Sequence, residues 1–158
     1  MTANAFPFHM NPLPTREDLE SRREDGDFDG PENAVLAARA EGELIGFVVV
    51  EDLESIGPLF DIRLANGARG KGLGTETVRG LVRHLFRECP NIVRIEGQTR
   101  DDNVAMRKTF LRSGFVKEAH YRKAWPTAEG ELRDAVAYGL LRSDFETGQT
   151  TPLVWGEL

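Results

Sequence analysis

The sequence is short of the groups from which cross-links and metal centres are built. It has one cysteine, Cys89, and three histidines in 158 residues. A lone cysteine excludes an intramolecular disulfide and suits a reducing compartment, so a cytoplasmic protein is expected. No His, Cys and Asp residues stand at metal-ligand spacing, and neither a structural nor a catalytic metal is expected. Long apolar runs are also lacking. The longest, residues 45–50, is far too short to span a bilayer, so no membrane partner is expected. The first residues show no basic start followed by an apolar run, and no signal peptide is expected. Positive charge is in deficit: 20 Lys and Arg against 26 Asp and Glu give a formal net charge of -6. That argues against a nucleic-acid partner, which requires a basic face to neutralise phosphates. It is compatible with a cationic partner such as an amine, although acidity often serves only solubility.

What is present is an ordinary globular balance, 40% apolar and 29% charged residues. The length fits one domain over residues 1–158, long enough to bury roughly two-thirds of its unfolded surface. Residues 1–14 hold three of the eight prolines and read as an irregular lead, with room for a short strand at residues 6–10. Thr15 with Asp18 has the form of a capping box opening a helix. Residues 25–31 are a Gly/Asp/Pro loop. Apolar runs at 35–40 and 44–50 around Gly42 read as a β-hairpin, and 57–64 as a further strand. Val78, Leu81, Val82, Leu85 and Phe86 recur at helical spacing, predicting a helix over about 75–87 that Pro90 stops. Residues 92–99 read as a strand. Asp102 or Asn103 can cap a helix closed by Gly114. Residues 115–125 and 132–141 form a last strand pair. The order strands, helix, strand, helix, strands predicts an α/β fold with a mixed sheet.

Between strand and helix lies the loop Arg69, Gly70, Lys71, Gly72, Leu73, Gly74. Its glycines permit positive φ and close ligand approach. The helix that starts there presents unpaired N–H groups and the positive end of its dipole, an anion site suited to a phosphate or pyrophosphate. It lacks the ending of a Walker loop and the spacing of the dinucleotide fingerprint.

Arg69, Gly72 and Gly74 resemble the pyrophosphate loop of the GNAT acyltransferase superfamily, Arg/Gln-x-x-Gly-x-Gly/Ala. The resemblance continues in Asn103, Met106, Phe110, Gly114 and Phe115, and in the last hairpin, which is similar to the ribosomal-protein N-terminal acetyltransferase branch. It covers roughly residues 35–145. It implies a mostly antiparallel central sheet flanked by helices and acetyl-CoA as cosubstrate. Ile62, Arg63 and Leu64 would run beside the pantetheine arm, with a backbone oxyanion donor among them. The pyrophosphate would sit on the amides from Arg69 through Gly70, Lys71, Gly72, Leu73 and Gly74 to Thr75, and Asn103, Arg107 and Phe110 would complete the cofactor side. The implied reaction is direct attack of a primary amine, from a protein N-terminus or a small molecule, on the thioester. The alternative is a GNAT-like module that holds acyl-CoA without turnover.

Asp61 and Glu96 are the candidate bases, each on a strand expected to flank the acyl group. Phe110 stands where many GNAT enzymes carry a tyrosine that protonates the thiolate, and Tyr121 is the candidate replacement acid, although packing is its simpler role. His84 reads as a surface residue, His120 lies with Tyr121 on the late strand expected to line the cleft, Cys89 reads as non-catalytic, and Trp125 as packing or a substrate wall. The region before the first hairpin is short for this branch. The acceptor side is therefore expected to be open or completed by a second subunit, as in a homodimer, and the tail at 150–158 is free to cover the sheet or reach that partner.

Overall fold

The computed structural model describes residues 4–28, 30 and 32–156. Asp29 and Pro31 of the expected loop, and the last two residues of the tail, lie outside them. The capping box forms: the Thr15 hydroxyl accepts from the Asp18 amide at 3.1 Å, and the Asp18 carboxylate accepts from the Thr15 amide at 2.7 Å. It opens α1 (Arg16–Glu24). The hairpin is β1 (Ala34–Ala40) and β2 (Glu43–Glu51), turned by Glu41 and Gly42, both at positive φ (51° and 84°). Such two-residue turns follow the twist of the flanking strands. Then come β3 (Leu59–Leu64), α2 (Leu73–Glu88), β4 (Arg94–Arg100), α3 (Val104–Arg112), β5 (Val116–Pro126), β6 (Leu132–Leu141) and α4 (Arg142–Thr147).

The six strands form one sheet in the order β1-β2-β3-β4-β6-β5. Every neighbouring pair is antiparallel except β3 and β4, which are parallel. That exception follows from the chain path, since β3 reaches β4 through the crossover helix α2. The parallel pair is registered at one position, Leu59 with Glu96, where the Glu96 amide donates to the Pro58 carbonyl at 3.0 Å. Beyond it the strands part and leave a wedge in the middle of the sheet.

The core lies between the sheet and α2 with α3. Val78, Leu81, Val82 and Leu85 of α2 are buried against Ile95, Val136 and Leu140. Phe60, Phe110, Phe115 and Tyr138 form an aromatic cluster, with Phe110 stacked on Tyr138 at 4.8 Å between centroids. Gly97 makes room for it: a Cβ there would sit 2.6 Å from Phe110 Cζ.

One expectation is corrected. Residues 6–10 form turns and bends, not a strand; Pro7 has no amide for a ladder, and the Phe6 amide donates instead across the loop to the Pro12 carbonyl at 2.7 Å. Residues 142–147, which follow the last strand, form the short helix α4. The Arg142 guanidinium there holds the carbonyls of Ile92, Phe86 and Cys89 at 2.6–2.7 Å. Among the described residues, no helix is long and apolar enough to cross a membrane.

Candidate active site

The wedge is exposed to two cavities. The first, about 670 Å³, is lined by Ile62 and Leu64 of β3, by Arg69, Gly70, Gly72, Gly74 and Thr75 of the loop and α2, and by Asn103, Lys108 and Arg112 around α3. Gly70 and Gly72 hold φ of 72° and 83°, which only glycine adopts without strain. Gly72 is the N-cap of α2 and no side chain caps the helix. The Leu73 and Gly74 amides donate to no protein acceptor among the described residues, while the Thr75 amide bonds the Gly72 carbonyl at 3.0 Å. Free amides at the positive end of a sixteen-residue helix, with Lys108 and Arg112 opposite, form an anion cradle.

Backbone direction in β3 follows from its neighbours. The Ala65 amide donates to Ile45 of β2, and the Pro58 carbonyl accepts from β4. Alternation along the strand therefore turns the backbone groups of Phe60, Ile62 and Leu64 toward β4. Beyond Glu96 no β4 residue is registered with β3, so the Ile62 amide faces the wedge. The Leu64 carbonyl is taken by Arg69, whose Nε and Nη2 donate to it at 3.0 and 2.8 Å.

The second cavity, about 690 Å³, lies on the opposite face of the sheet. Phe60 turns toward the helices, so Asp61 and Arg63 turn away from them and into this space. Asp18, Asp27, Glu51 and Asp61 line it against Arg22 and Arg63, with Gln98 and Trp125 beyond. Burial pushes the Asp61 carboxyl up. The hydrogen bond and charge of His9, then those of Arg63, more than reverse this and hold it at about 2. Glu51, solvent-exposed at the rim, is raised by partial desolvation and by the charge of Asp61. The two cavities share Phe8, His9, Ile62, Asn103 and Met106, so they meet at the wedge.

The family model for the acetyltransferase (GNAT) domain matches residues 1–116. The chain belongs to the GNAT family. It is 32% identical over 126 residues to the mycothiol acetyltransferase of Paenarthrobacter aurescens (strain TC1), covering 74% of this chain and 38% of that protein. The chain thus spans well under half the length of that relative. Among solved structures, the spermidine N-acetyltransferase of Vibrio cholerae in complex with CoA and spermine superposes with a TM-score of 0.73 at 20% identity, over 86% of this chain and 80% of that one. An aminoglycoside acetyltransferase in complex with coenzyme A superposes with a TM-score of 0.69 at 24% identity, over 87% and 83%. At these identities the structural likeness shows the GNAT fold.

Against that fold the expected cofactor residues divide. Ile62, Leu64, Arg69, Gly70, Gly72, Gly74, Thr75 and Asn103 line the first cavity. Asn103 caps α3, accepting from the Met106 amide at 3.2 Å, and donates to the Thr99 hydroxyl at 2.9 Å, so it ties the far end of β4 to the helix. Lys71 is exposed at the loop tip, and Leu73 turns toward a third cavity beside β1. Arg63 faces the second cavity. Arg107 lines neither of the first two: it donates to the Asp101 carbonyl at 2.7 Å and the Tyr138 hydroxyl at 3.3 Å, a structural tie. Phe110 is 1% exposed in the aromatic cluster and touches only the second cavity.

Of the candidate acids and bases, only Asp61 lines a cavity at the wedge. Glu96 sits at the closed end, paired with Arg94 at 3.1 Å and with Gln98 at 3.2 Å. Tyr121 lies on β5, 46% exposed and outside both cavities. His120 pairs with Asp134 at 2.7 Å on the same exposed strand, His84 borders the third cavity on α2, and Cys89 is half-buried at the end of α2. Trp125 does form a wall of the second cavity.

Sequence reasoning missed Lys108 and Arg112, although their four-residue spacing on a helix facing the glycine loop was a usable signal. It also missed residues 6–9. Nothing in a proline-rich lead marks Phe6, Phe8 and His9 as residues that close the wedge.

Proposed function

We propose that this domain transfers an acetyl group from acetyl-CoA to a primary amine by direct attack on the thioester. The observation that carries the reading is the wedge itself, where an anion cradle on one face of the sheet meets an acidic cavity on the other. Acetyl-CoA would enter from the cradle side. Its pyrophosphate would accept from the amides at the start of α2, with Lys108 and Arg112 supplying charge. The thioester would then lie beside Ile62, whose amide faces the wedge and is the donor for the oxyanion that forms as the carbonyl is attacked.

The amine would arrive from the second cavity. Four carboxylates against two arginines there favour a cationic acceptor, which must shed a proton before it attacks. Neighbours of the same fold act on spermidine and on aminoglycosides, which supports amine chemistry in this family without choosing an acceptor for this chain. Likeness of the last hairpin to the ribosomal-protein N-terminal acetyltransferase branch keeps a protein N-terminus among the acceptors. Asp61 is the candidate side chain of the earlier set nearest to that amine. Tyr121 would then serve packing.

The test is release of free thiol from acetyl-CoA with a panel of polyamines, aminoglycosides, amino-acid amides and peptides with free N-termini. Amine-dependent release with at least one class is expected. CoA binding with no release above the amine-free rate across the panel would overturn the reading in favour of a non-catalytic acyl-CoA module.

A further inference from the structure

The turn at residues 6–9 spans the open end of the wedge and is fastened to both strands. On the β3 side, Phe6 is 4% exposed under the guanidinium groups of Arg63 and Arg69, at 5.5 and 5.1 Å. On the β4 side, Arg100 donates to the Pro7 carbonyl at 3.3 Å and lies over the Phe8 ring at 5.2 Å. His9 is therefore a placed side chain, not part of a loose terminus. Its Nε2 meets Asp61 Oδ1 at 2.8 Å, while Asp61 Oδ2 accepts from Arg63 Nε at 2.8 Å. His9 lines both cavities.

The tautomer follows from the partner. An ionised carboxylate only accepts, so Nε2 carries the hydrogen in the neutral ring and the lone pair is on Nδ1. That Nδ1 is buried and has no hydrogen-bond partner among the described residues. A buried acceptor left without a donor is destabilising, and an incoming N–H or S–H would relieve that. The turn is outside the sheet, so a rotation of the ring that presents Nδ1 to a ligand would break no ladder.

We propose that His9 is a catalytic residue that carries the proton between the two substrates, with Asp61 as its positioning residue. This rests on the acyltransfer reading above. The amine, having first given up one proton to solvent water, bonds through its neutral nitrogen to the thioester carbon, and the resulting ammonium gives its second proton to His9 Nδ1. The imidazolium is stabilised by Asp61 at Nε2. The C–S bond then breaks, and His9 returns the proton to the thiolate sulfur, leaving amide, free CoA thiol and neutral His9. One side chain thus does the work of both the base and the acid, which accounts for a reaction without a tyrosine at position 110. Asp61, held ionised far below neutrality, is a weak base itself but a strong orienter. Histidine is the side chain that changes charge in the neutral range.

The charged groups around His9 are Asp61 and Arg63 on β3, Glu51 on β2, Asp18 and Arg22 on α1 with Asp27 after it, Arg69 before α2, Lys108 and Arg112 on α3, and Arg100 on β4. The experiment measures thiol release from pH 5 to 9 at saturating acetyl-CoA and amine, for the wild-type protein and His9→Gln, with CoA affinity measured alongside. Glutamine can still donate to Asp61, so the turn stays fastened. Expected is a fall in kcat of about 10²–10⁴-fold with CoA affinity kept, an acid limb changed from the wild-type one because only the amine's own deprotonation is left to set it, and partial rescue by added imidazole. A His9→Gln protein within tenfold of wild type, with the same acid limb, overturns the assignment while leaving acyltransfer standing. A wild-type protein that releases no thiol with any amine overturns both. Should His9→Gln not fold, the wild-type protein decides: with ¹⁵N-histidine, the Nδ1 resonance of His9 should move when CoA and amine are both present, and an unmoved resonance refutes the proposal.

Discussion

Asp61→Asn tests the electrostatics of the site without any knowledge of the substrate. The carboxylate holds His9 and Arg63 at once, and its pKa is lowered from 3.8 to about 2. Because the folded protein binds this proton less readily than the unfolded chain, the group stabilises the fold above about pH 4. The contribution is lost as the pH falls from 4 toward 2. At about 1.36 kcal/mol per unit, the shift is worth on the order of 2 kcal/mol. Urea unfolding at a series of pH values from 6 to 2 should therefore show the wild-type protein losing roughly 2 kcal/mol more than Asp61→Asn over that range. Asp18, Asp102 and Asp134 are lowered too, by bonds chiefly to Thr15, Arg100 and Lys123, but they are common to both proteins and cancel. Parallel stability curves would refute the account, since they would mean that Asp61 binds protons equally in the folded and unfolded states.

Gly74→Val places a branched side chain in the first cavity, the groove proposed for the cofactor, where the added Cβ has ordinary contacts, 3.7 Å from Leu64 Cδ1 and Thr109 Oγ1; the protein should fold and bind CoA at least about tenfold more weakly by calorimetry, and an unchanged Kd would remove the loop from the proposed cofactor site. Gly97→Ala drives a methyl into Phe110 and should cost about 1–3 kcal/mol by overpacking, read as a lower urea midpoint; an unshifted midpoint would show that the aromatic cluster is not packed as described.

The elements with regular periodicity were legible from sequence. The stripe of Val78, Leu81, Val82, Leu85 and Phe86 predicts α2, and its residues are the ones buried. The shape of the glycine loop was legible because it is local: positive φ at Gly70 and Gly72 and free amides at a helix start. What was not legible depends on distant pairings. Glu96 reads as a strand carboxylate free to act, but Arg94 and Gln98, two residues either side on the same strand face, claim it. Arg107 lies on the helix that borders the groove, yet its guanidinium turns inward to Asp101 and Tyr138. His9 and Asp61 are 52 residues apart, and no pattern in either segment announces that they touch.

The division of labour in the site follows from the topology. A parallel pair inside an antiparallel sheet requires a crossover, and the crossover helix starts at the loop after β3, so cradle and wedge lie at the same end of the same strand. The wedge opens because the two strands are held together only at Leu59 and Glu96. The groups thereby exposed are backbone amides, which any sequence supplies and which need no particular side chain at 62 or 64. Side-chain chemistry must then come from what closes the wedge, and in this chain that is the turn at residues 6–9 together with α1 and the end of β5. These segments share no ladder with β3 or β4. They are free to change length and composition while the frame of the sheet is kept, which is the physical basis on which one fold can carry different sites.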